Sequence, residues 1–422
     1  MRTMPRKAHL VPSPHPVRKL PTPRLSAVQP ALLGQMNEQA VLRLVQSYGP
    51  MSRIEIARQL GFTAPTASKA ADSLLQAGWL EEEDEAAPMG RGRPAKRLHL
   101  PGKRAQVVGV VIDAFRCQVV AAGLDGAIPI SDNDEAIITF DTPTTYEALI
   151  EQIIASVQTL VNRPDVRTFG IGISLPGLVD PYEQRGILSP NLPLTDGRSP
   201  ADDICASFEV PCVQVQEENA LCLAERAYGK ARGYDDFAML DIATGVGLGV
   251  VSGGQLLTGH RGLAGELGHI TVVADEGRLC GCGNHGCLET ETSETGLARR
   301  VSDRLGRSVS VEELARLIGA FRADKSAEPR PVWADDVDRF LRYLAIGVAT
   351  VINLFNVSAI FLHSRILAVS PMLFDRLVEE TKRRALSPSF GDCEIVLAQG
   401  SKPRAAVAAI MNHLIEALVP TL

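Results

Sequence analysis

The sequence has no run of about 18 or more uncharged apolar residues, the length that a membrane-crossing helix needs. Its first residues, MRTMPRKAHLVPSPHP, contain no hydrophobic segment ending at a small-residue cleavage site. Neither a membrane span nor a secretory signal is expected, which places the chain in the cytoplasm. Structural disulfides are excluded next, because in that reducing compartment the 8 cysteines are expected to be thiols or metal ligands. Cys117, Cys205, Cys212, Cys222 and Cys393 are scattered and read as small buried hydrophobes. A single domain is excluded by length: 422 residues are expected to divide into two or three, each with its own core.

The formal net charge of -6 conceals an asymmetry. Residues 1–104 carry 16 Lys and Arg against 8 Asp and Glu, whereas the remainder carries 27 against 41. A basic front suits a polyanion, and an acidic body would be repelled by one. Prolines at 5, 12, 14, 16, 21, 23 and 30 make residues 1–35 poor in regular structure. They read as a disordered basic arm or as an inert extension.

Residues 36–100 carry a helix-turn-helix order. Val41, Leu42, Leu44 and Val45 suit a short amphipathic helix ending near Gly49-Pro50, and Ser52-Arg-Ile-Glu55 is a capping box that opens a second helix through Leu60. Gly61 makes the turn. A third helix begins at Thr63 or Ala64 with Pro65 in its first turn, and Gly78 stops it. On that helix Thr66, Ser68 and Lys69 are expected to face a major groove or its phosphates. Trp79-Leu80 and Arg97-Leu-His-Leu100 then read as two strands of a wing. The acids at 81 to 85 read as a solvated face, while Arg91 and Arg93, around a glycine at the wing tip, either enter a narrow minor groove or touch phosphate. The region resembles the winged-helix domain of sugar-responsive bacterial repressors.

Far downstream, HITVVADEGRLCGCGNHGCLE brings His269, Cys280, Cys282 and Cys287 together with the spacing H-x10-C-x-C-x4-C. Four nitrogen and sulfur ligands predict a closed tetrahedral Zn2+ site that is structural, since no coordination position remains for water. His285 would be a fifth ligand, so it reads as a residue that supports the ligands from behind or faces solvent. A redox Cys-Gly-Cys pair would leave Cys287 and His269 without a role.

Upstream, Asp241-Ile-Ala-Thr-Gly245-Val-Gly247-Leu-Gly249, then Gly259, then Gly265-Glu266-Leu-Gly268-His269 resembles the signature of the ROK family, named for repressors, open reading frames and kinases. The resemblance runs from about residue 37 to the C-terminus. It implies an α/β fold: an N-terminal winged helix-turn-helix followed by an actin-like (ribonuclease-H-like) two-lobe sugar-kinase fold with the sugar in the cleft. The first lobe is expected over 105–216 plus about 397–422, and the second, with the zinc loop, over 217–396. The resemblance also implies that zinc rigidifies the loop holding Glu266 and His269, one ring nitrogen of His269 binding zinc and the other a sugar hydroxyl. Asn191 in SPNLP and Glu289 match further sugar contacts, in keeping with the paired hydrogen bonds that amides and carboxylates offer vicinal hydroxyls. Alone, Asn191 also reads as a turn residue and Glu266 as a helix-end acid.

The chain departs from the family's kinases at three places. In QVQEENALCLAERAYG, Glu217 stands where the kinases have their general-base aspartate, one methylene longer, so a base role is not expected although sugar binding is. The glycine-rich phosphate hairpin is replaced by Asp113-Ala114-Phe115-Arg116, and the glycine pair beside the nucleoside by His363-Ser364. Thr244-Gly245-Val-Gly247 persists. The expectation is therefore a non-enzymatic regulator whose partners are double-stranded operator DNA and a monosaccharide or derivative, in a homodimer or homotetramer.

Two other readings stay open: an ATP-dependent sugar kinase with a fused DNA-binding head, and a regulator controlled by a protein partner. Residues 337–356 form an apolar-rich helix suited to a core or to a subunit interface.

Overall fold

Near-continuous apolar strands such as QVVGVV and FAMLDI bury both faces, and they do so in two sheets of the same design. The structure, a computed structural model, describes residues 30–84, 96–129, 136–320 and 330–419. In the first sheet the strands run Cys212–Gln216, Arg167–Leu175, Ala105–Val111, Arg116–Gly123, Ile137–Asp141 across the sheet. In the second they run Glu394–Leu397, Ala359–His363, Phe237–Ile242, Val246–Ser252, Gln255–Leu256. Each sheet is thus an antiparallel three-strand meander with two parallel strands added beside its first strand. This repeated order is the two-lobe α/β architecture that the sequence led us to expect.

The helix Lys402–Glu416 crosses the first sheet. Its backbone comes so close that a Cβ on Gly172 would lie 2.1 Å from the Ala406 carbonyl oxygen, a contact that only glycine permits. On the second lobe the helix Ala334–Phe355 buries Phe340, Leu341, Leu344, Val348, Val351 and Ile352 in the core formed with Leu240, Leu248 and Ile360. The apolar run at 337–356 is therefore a core helix. The helix Glu217–Tyr228 packs between the second sheet and Lys402–Glu416, with Ala220, Cys222 and Ala224 facing Met239, Phe361, Ala405 and Ala409.

The head is a three-helix unit with a wing. Its helices are Pro30–Tyr48, Arg53–Leu60 and Ala64–Ala77. Both halves of the capping box at Ser52 and Glu55 are formed, Gly61 adopts the left-handed conformation between the second and third helices, and Gly78 does the same after the third. Two expectations need correction. The first helix starts at Pro30, so residues 30–35 do not belong to an arm; proline is compatible with a first helical turn because its missing N–H has no intrahelical partner there. The first wing strand is Glu81–Asp84, paired with Lys96–His99, rather than Trp79-Leu80. One of its acids is held by cations, Glu82 accepting from Arg53 at 2.7 Å and from the cross-strand Lys96 at 3.0 Å, while Glu83 and Asp84 stay exposed.

Head and first lobe share one core. Val41, Leu42, Ile56, Leu74 and Leu98 are continuous with Val107, Val120, Leu124, Ile410 and Met411. Trp79 meets Phe169 edge-on at 4.7 Å, Arg167 stacks on Phe169 and also donates to the Ala77 carbonyl, and Gln39 donates to the Ile415 carbonyl at 2.9 Å.

Candidate functional site

Three places were singled out by the sequence. On the third head helix, Ala67, Ala70, Ala71 and Leu74 face the core, leaving Lys69 exposed and Thr66 and Ser68 half-buried at its margin. The Thr66 hydroxyl lies 2.8 Å from the N-cap hydroxyl of Thr63, so it is partly engaged in starting the helix. Arg91 and Arg93 lie outside the described residues.

The second place is the cysteine loop. The ligand atoms of His269, Cys280, Cys282 and Cys287 lie within 4.8 Å of one another, with Cys282 Sγ and Cys287 Sγ 3.8 Å apart and His269 Nδ1 3.6 Å from Cys280 Sγ. A tetrahedral ion with sulfur bonds of about 2.3 Å requires sulfur separations of about 3.8 Å, so the donor set fits a metal ion. His269 presents Nδ1 to the thiols, while its Nε2 lies 3.8 Å from Glu266 Oε2 on the other side. His285 instead turns Nδ1 to the Gly277 carbonyl at 3.0 Å, outside the four-residue cluster.

The third place is the cleft between the sheets, a cavity of about 290 Å³. Asn191, Glu217, Glu266, His269 and Glu289 all line it, from four separate parts of the chain. Glu289, on the short helix Leu288–Thr292, accepts from the Val246 N–H at 3.1 Å. That approach depends on Gly245, where a Cβ would meet Glu289 Oε2 at 2.4 Å. Gln216 donates to Glu266 at 3.5 Å. Ser189 Oγ, Gln216 Oε1 and Glu218 Oε2 are buried on this wall without hydrogen-bond partners. Buried polar atoms without partners are costly, so they mark surface shaped for a polar ligand.

Sequence reasoning missed the charge network on the floor. Lys402 Nζ bridges Asp113 Oδ2 and Glu217 Oε1, each at 2.6 Å, and Asp241 lies 2.5 Å from His363 Nδ1. Burial pushes the Glu217 carboxyl up to about 7 although Lys402 pulls it down, and burial together with the neighbouring Glu217 pushes Glu218 up to about 8. Burial would also raise Asp241, but the hydrogen bond and charge of His363 outweigh it and hold this carboxyl low. His363 is raised by the same partnership against the effect of its own burial. Lys402 is likewise held above its ordinary range despite burial, chiefly by Glu217, Asp241 and Asp113. One local signal existed: Lys402 is the first residue of its helix, where the helix dipole disfavours a cation. Such a placement calls for acids nearby. At the hairpin tip Phe115 is 69% exposed, and its N–H turns back to Asp113 Oδ1 at 3.3 Å.

Known proteins align with both parts of the chain. The MarR family model matches residues 35–85, the head described above. The xylose repressor of Bacillus subtilis is 25% identical over 390 residues, covering 90% of this chain and 96% of its own length. The DNA-binding transcriptional dual regulator NagC of Escherichia coli is 27% identical over 356 residues, covering 84% and 86%. Among solved structures, a ROK family transcriptional regulator homologous to the Escherichia coli MLC protein superposes with a TM-score of 0.75 at 23% identity, over 92% of this chain and 98% of that one. A ROK family glucokinase from Streptomyces griseus, solved with glucose and AMPPNP, gives 0.61 at 26% identity over 72% and 98%, so the two-lobe body is common to repressors and kinases. With the ROK model matching residues 119–412, well over half of the sequence, the chain belongs to the ROK family.

Proposed function

We propose that the protein is a sugar-responsive transcriptional repressor of carbohydrate-metabolism genes. The observation that carries this reading is the shared core of head and first lobe, which fastens a winged helix directly to one wall of a polar cleft. The relatives named repressors cover the head and body together, which supports the same reading. Lys69, Thr66 and Ser68 contact operator DNA from the third helix, and the wing with Arg91 and Arg93 contacts it beside them. A homodimer or homotetramer presents two heads to two half-sites. Such a regulator works in the cytoplasm, where the operator is.

In the cleft, Glu266 and Glu289 accept hydrogen bonds from vicinal hydroxyls of a monosaccharide or derivative, Asn191 donates and accepts, and Glu217 holds a further hydroxyl from the floor. His269 Nε2 faces the same space. The ion held by His269, Cys280, Cys282 and Cys287 is zinc, chosen by three thiolates and an imidazole in a closed tetrahedral set. When bound, it fixes the loop that carries His269 and leads into Glu289. Only a sugar with different affinity for two arrangements of the lobes changes DNA binding.

The body does not transfer phosphoryl groups. Lys402 engages Asp113 and Glu217 together, so the floor carboxylate is already paired, and Phe115 replaces the close backbone approach that a phosphate hairpin needs. The deciding experiment titrates the zinc-loaded full chain against DNA from upstream of its own gene at stated salt, with and without a panel of monosaccharides. Specific binding shifted by one sugar is the expected result. Specific binding that no sugar shifts overturns the sensor assignment, and ATP turnover in the presence of sugars overturns the non-enzymatic one.

A further inference from the structure

Behind the metal loop lies a second, strongly charged cavity of about 420 Å³, separate from the cleft. Its wall includes Arg278, Arg300, Arg339 and Arg342, with Glu291 and Asp336 among the acids. Arg300 is only 3% exposed. Its two terminal nitrogens donate to the carbonyls of Thr290 and Glu291 at 3.0 and 2.9 Å, closing the end of the helix Leu288–Thr292. Its Nε proton has no hydrogen-bond partner, the nearest carboxylate oxygen, on Asp336, being 3.9 Å away. A buried guanidinium N–H without an acceptor, in a residue that lines a cavity, is expensive unless something polar arrives to accept it.

Three of the four acids on this cavity's wall are already paired, Asp335 with Arg330 at 2.7 Å, while Glu276 is exposed and has no ion pair among the described residues. Arg339 binds Glu291 through two nitrogens at 2.6 and 3.1 Å, and Arg304 holds Asp336 at 3.0 Å. The side chains of Arg278 and Arg342 are exposed and take part in no ion pair or side-chain hydrogen bond among the described residues. Arg278 is close enough to Arg300, as is Arg339, for its charge to disfavour the buried cation. Five arginines converge on four acids here, which leaves an excess of guanidinium donors, and a tetrahedral oxyanion accepts from several guanidinium groups at once.

We propose that this cavity is a binding site for a small phosphate monoester, distinct from the sugar cleft. Arg278 and Arg342 form its outer clamp and the Arg300 Nε–H its inner donor. The site is wired to the cleft by short covalent paths. Arg278 precedes Cys280 by two residues in the metal loop, and Glu291 follows Glu289 by two on the same short helix. An anion drawing Arg278 inward tightens that loop, so the phosphate and the cleft ligand bind with mutual preference, by the reciprocity that any such linkage obeys.

Calorimetry on the zinc-loaded full chain tests this with inorganic phosphate and glucose 6-phosphate as probes and glucose as the neutral control. Arg278→Ala with Arg342→Ala is compared with Asn191→Ala, and metal content and melting temperature are recorded for each. Saturable binding of either phosphate probe is expected, weakened about tenfold or more in the double arginine variant and unchanged in Asn191→Ala. Arg278→Lys with Arg342→Lys should recover part of it. No saturable binding of either probe up to about 10 mM overturns the site. So does binding that survives the arginine double variant but fails in Asn191→Ala, because the phosphate then sits in the cleft.

Discussion

The two sheets share a strand order, yet the tips of their first hairpins have taken opposite courses. In the second sheet the turn between Phe237–Ile242 and Val246–Ser252 stays open: Gly245 and Gly247 leave room for Glu289 and Glu218, and the Val246 N–H points at a carboxylate. In the first, the turn between Ala105–Val111 and Arg116–Gly123 is filled with side chains, Phe115 outward and Asp113 inward onto Lys402. One tip keeps its backbone available to polar partners, whereas the other has been closed by the protein's own cation. A duplicated scaffold thus tolerates unequal tips, and its chemistry is decided by a few residues at the strand ends rather than by the sheet.

The comparison breaks most severely at Lys402. Lys402→Met leaves Asp113 and Glu217 facing each other without a cation, and should cost about 3–5 kcal/mol in urea unfolding, with part of the loss recovered by adding Glu217→Gln. Equal loss in the single and double variants would show that the cation does not hold the first tip. Gly247→Ala attacks the other tip, since the new Cβ would fall 1.9 Å from Glu218 Oε1. A cost of about 1–3 kcal/mol and loss of sugar binding are expected, read by melting and by calorimetry.

Glu217, between the tips, should be visible in the pH dependence of stability. Its carboxyl is near 7 when folded and near 4.5 when unfolded, so the native state binds the extra proton. This group's contribution is therefore greatest below pH 4.5 and is lost as the pH rises to about 7. Glu217→Gln should flatten the decline across that window in a series of melting curves; an unchanged slope would assign the titration elsewhere. The smallest effect belongs to Phe115→Ala, which should shift stability by less than about 0.5 kcal/mol and restore no ATP turnover, since Lys402 still holds Asp113. Turnover in that variant would mean that Phe115 alone closed the tip.

What the sequence disclosed follows the range of the interactions. The capping box at Ser52 and Glu55, the glycine stops at Gly61 and Gly78, and the histidine–cysteine cluster are written within a few turns of chain, and the structure forms each of them. The five cleft residues were legible through the family resemblance, and they line one cavity. Local pattern failed where long-range packing overrode it. Pro30 reads as a disordering residue until its helix is seen docked on Ile415, and in the acidic run from 81 Glu82 alone leaves the solvated face, where Arg53 and Lys96 neutralise it. The partnership of Lys402 with Asp113 spans 289 positions, a separation over which no spacing rule operates.

The helix Lys402–Glu416 begins on the cleft floor and ends against the first helix of the head. Its 15 residues make a rod of about 22 Å. A rod does not dissipate a displacement along its length: if a ligand at Glu217 lifts one end, Gln39 and Arg43 feel the motion at the other within the same rigid body. The repressor accordingly has no need of a chain of side-chain rearrangements between effector and operator. Between those two ends the helix lies closest to the sheet at the glycine-lined contact at Gly172, which would be the fulcrum of such a lever.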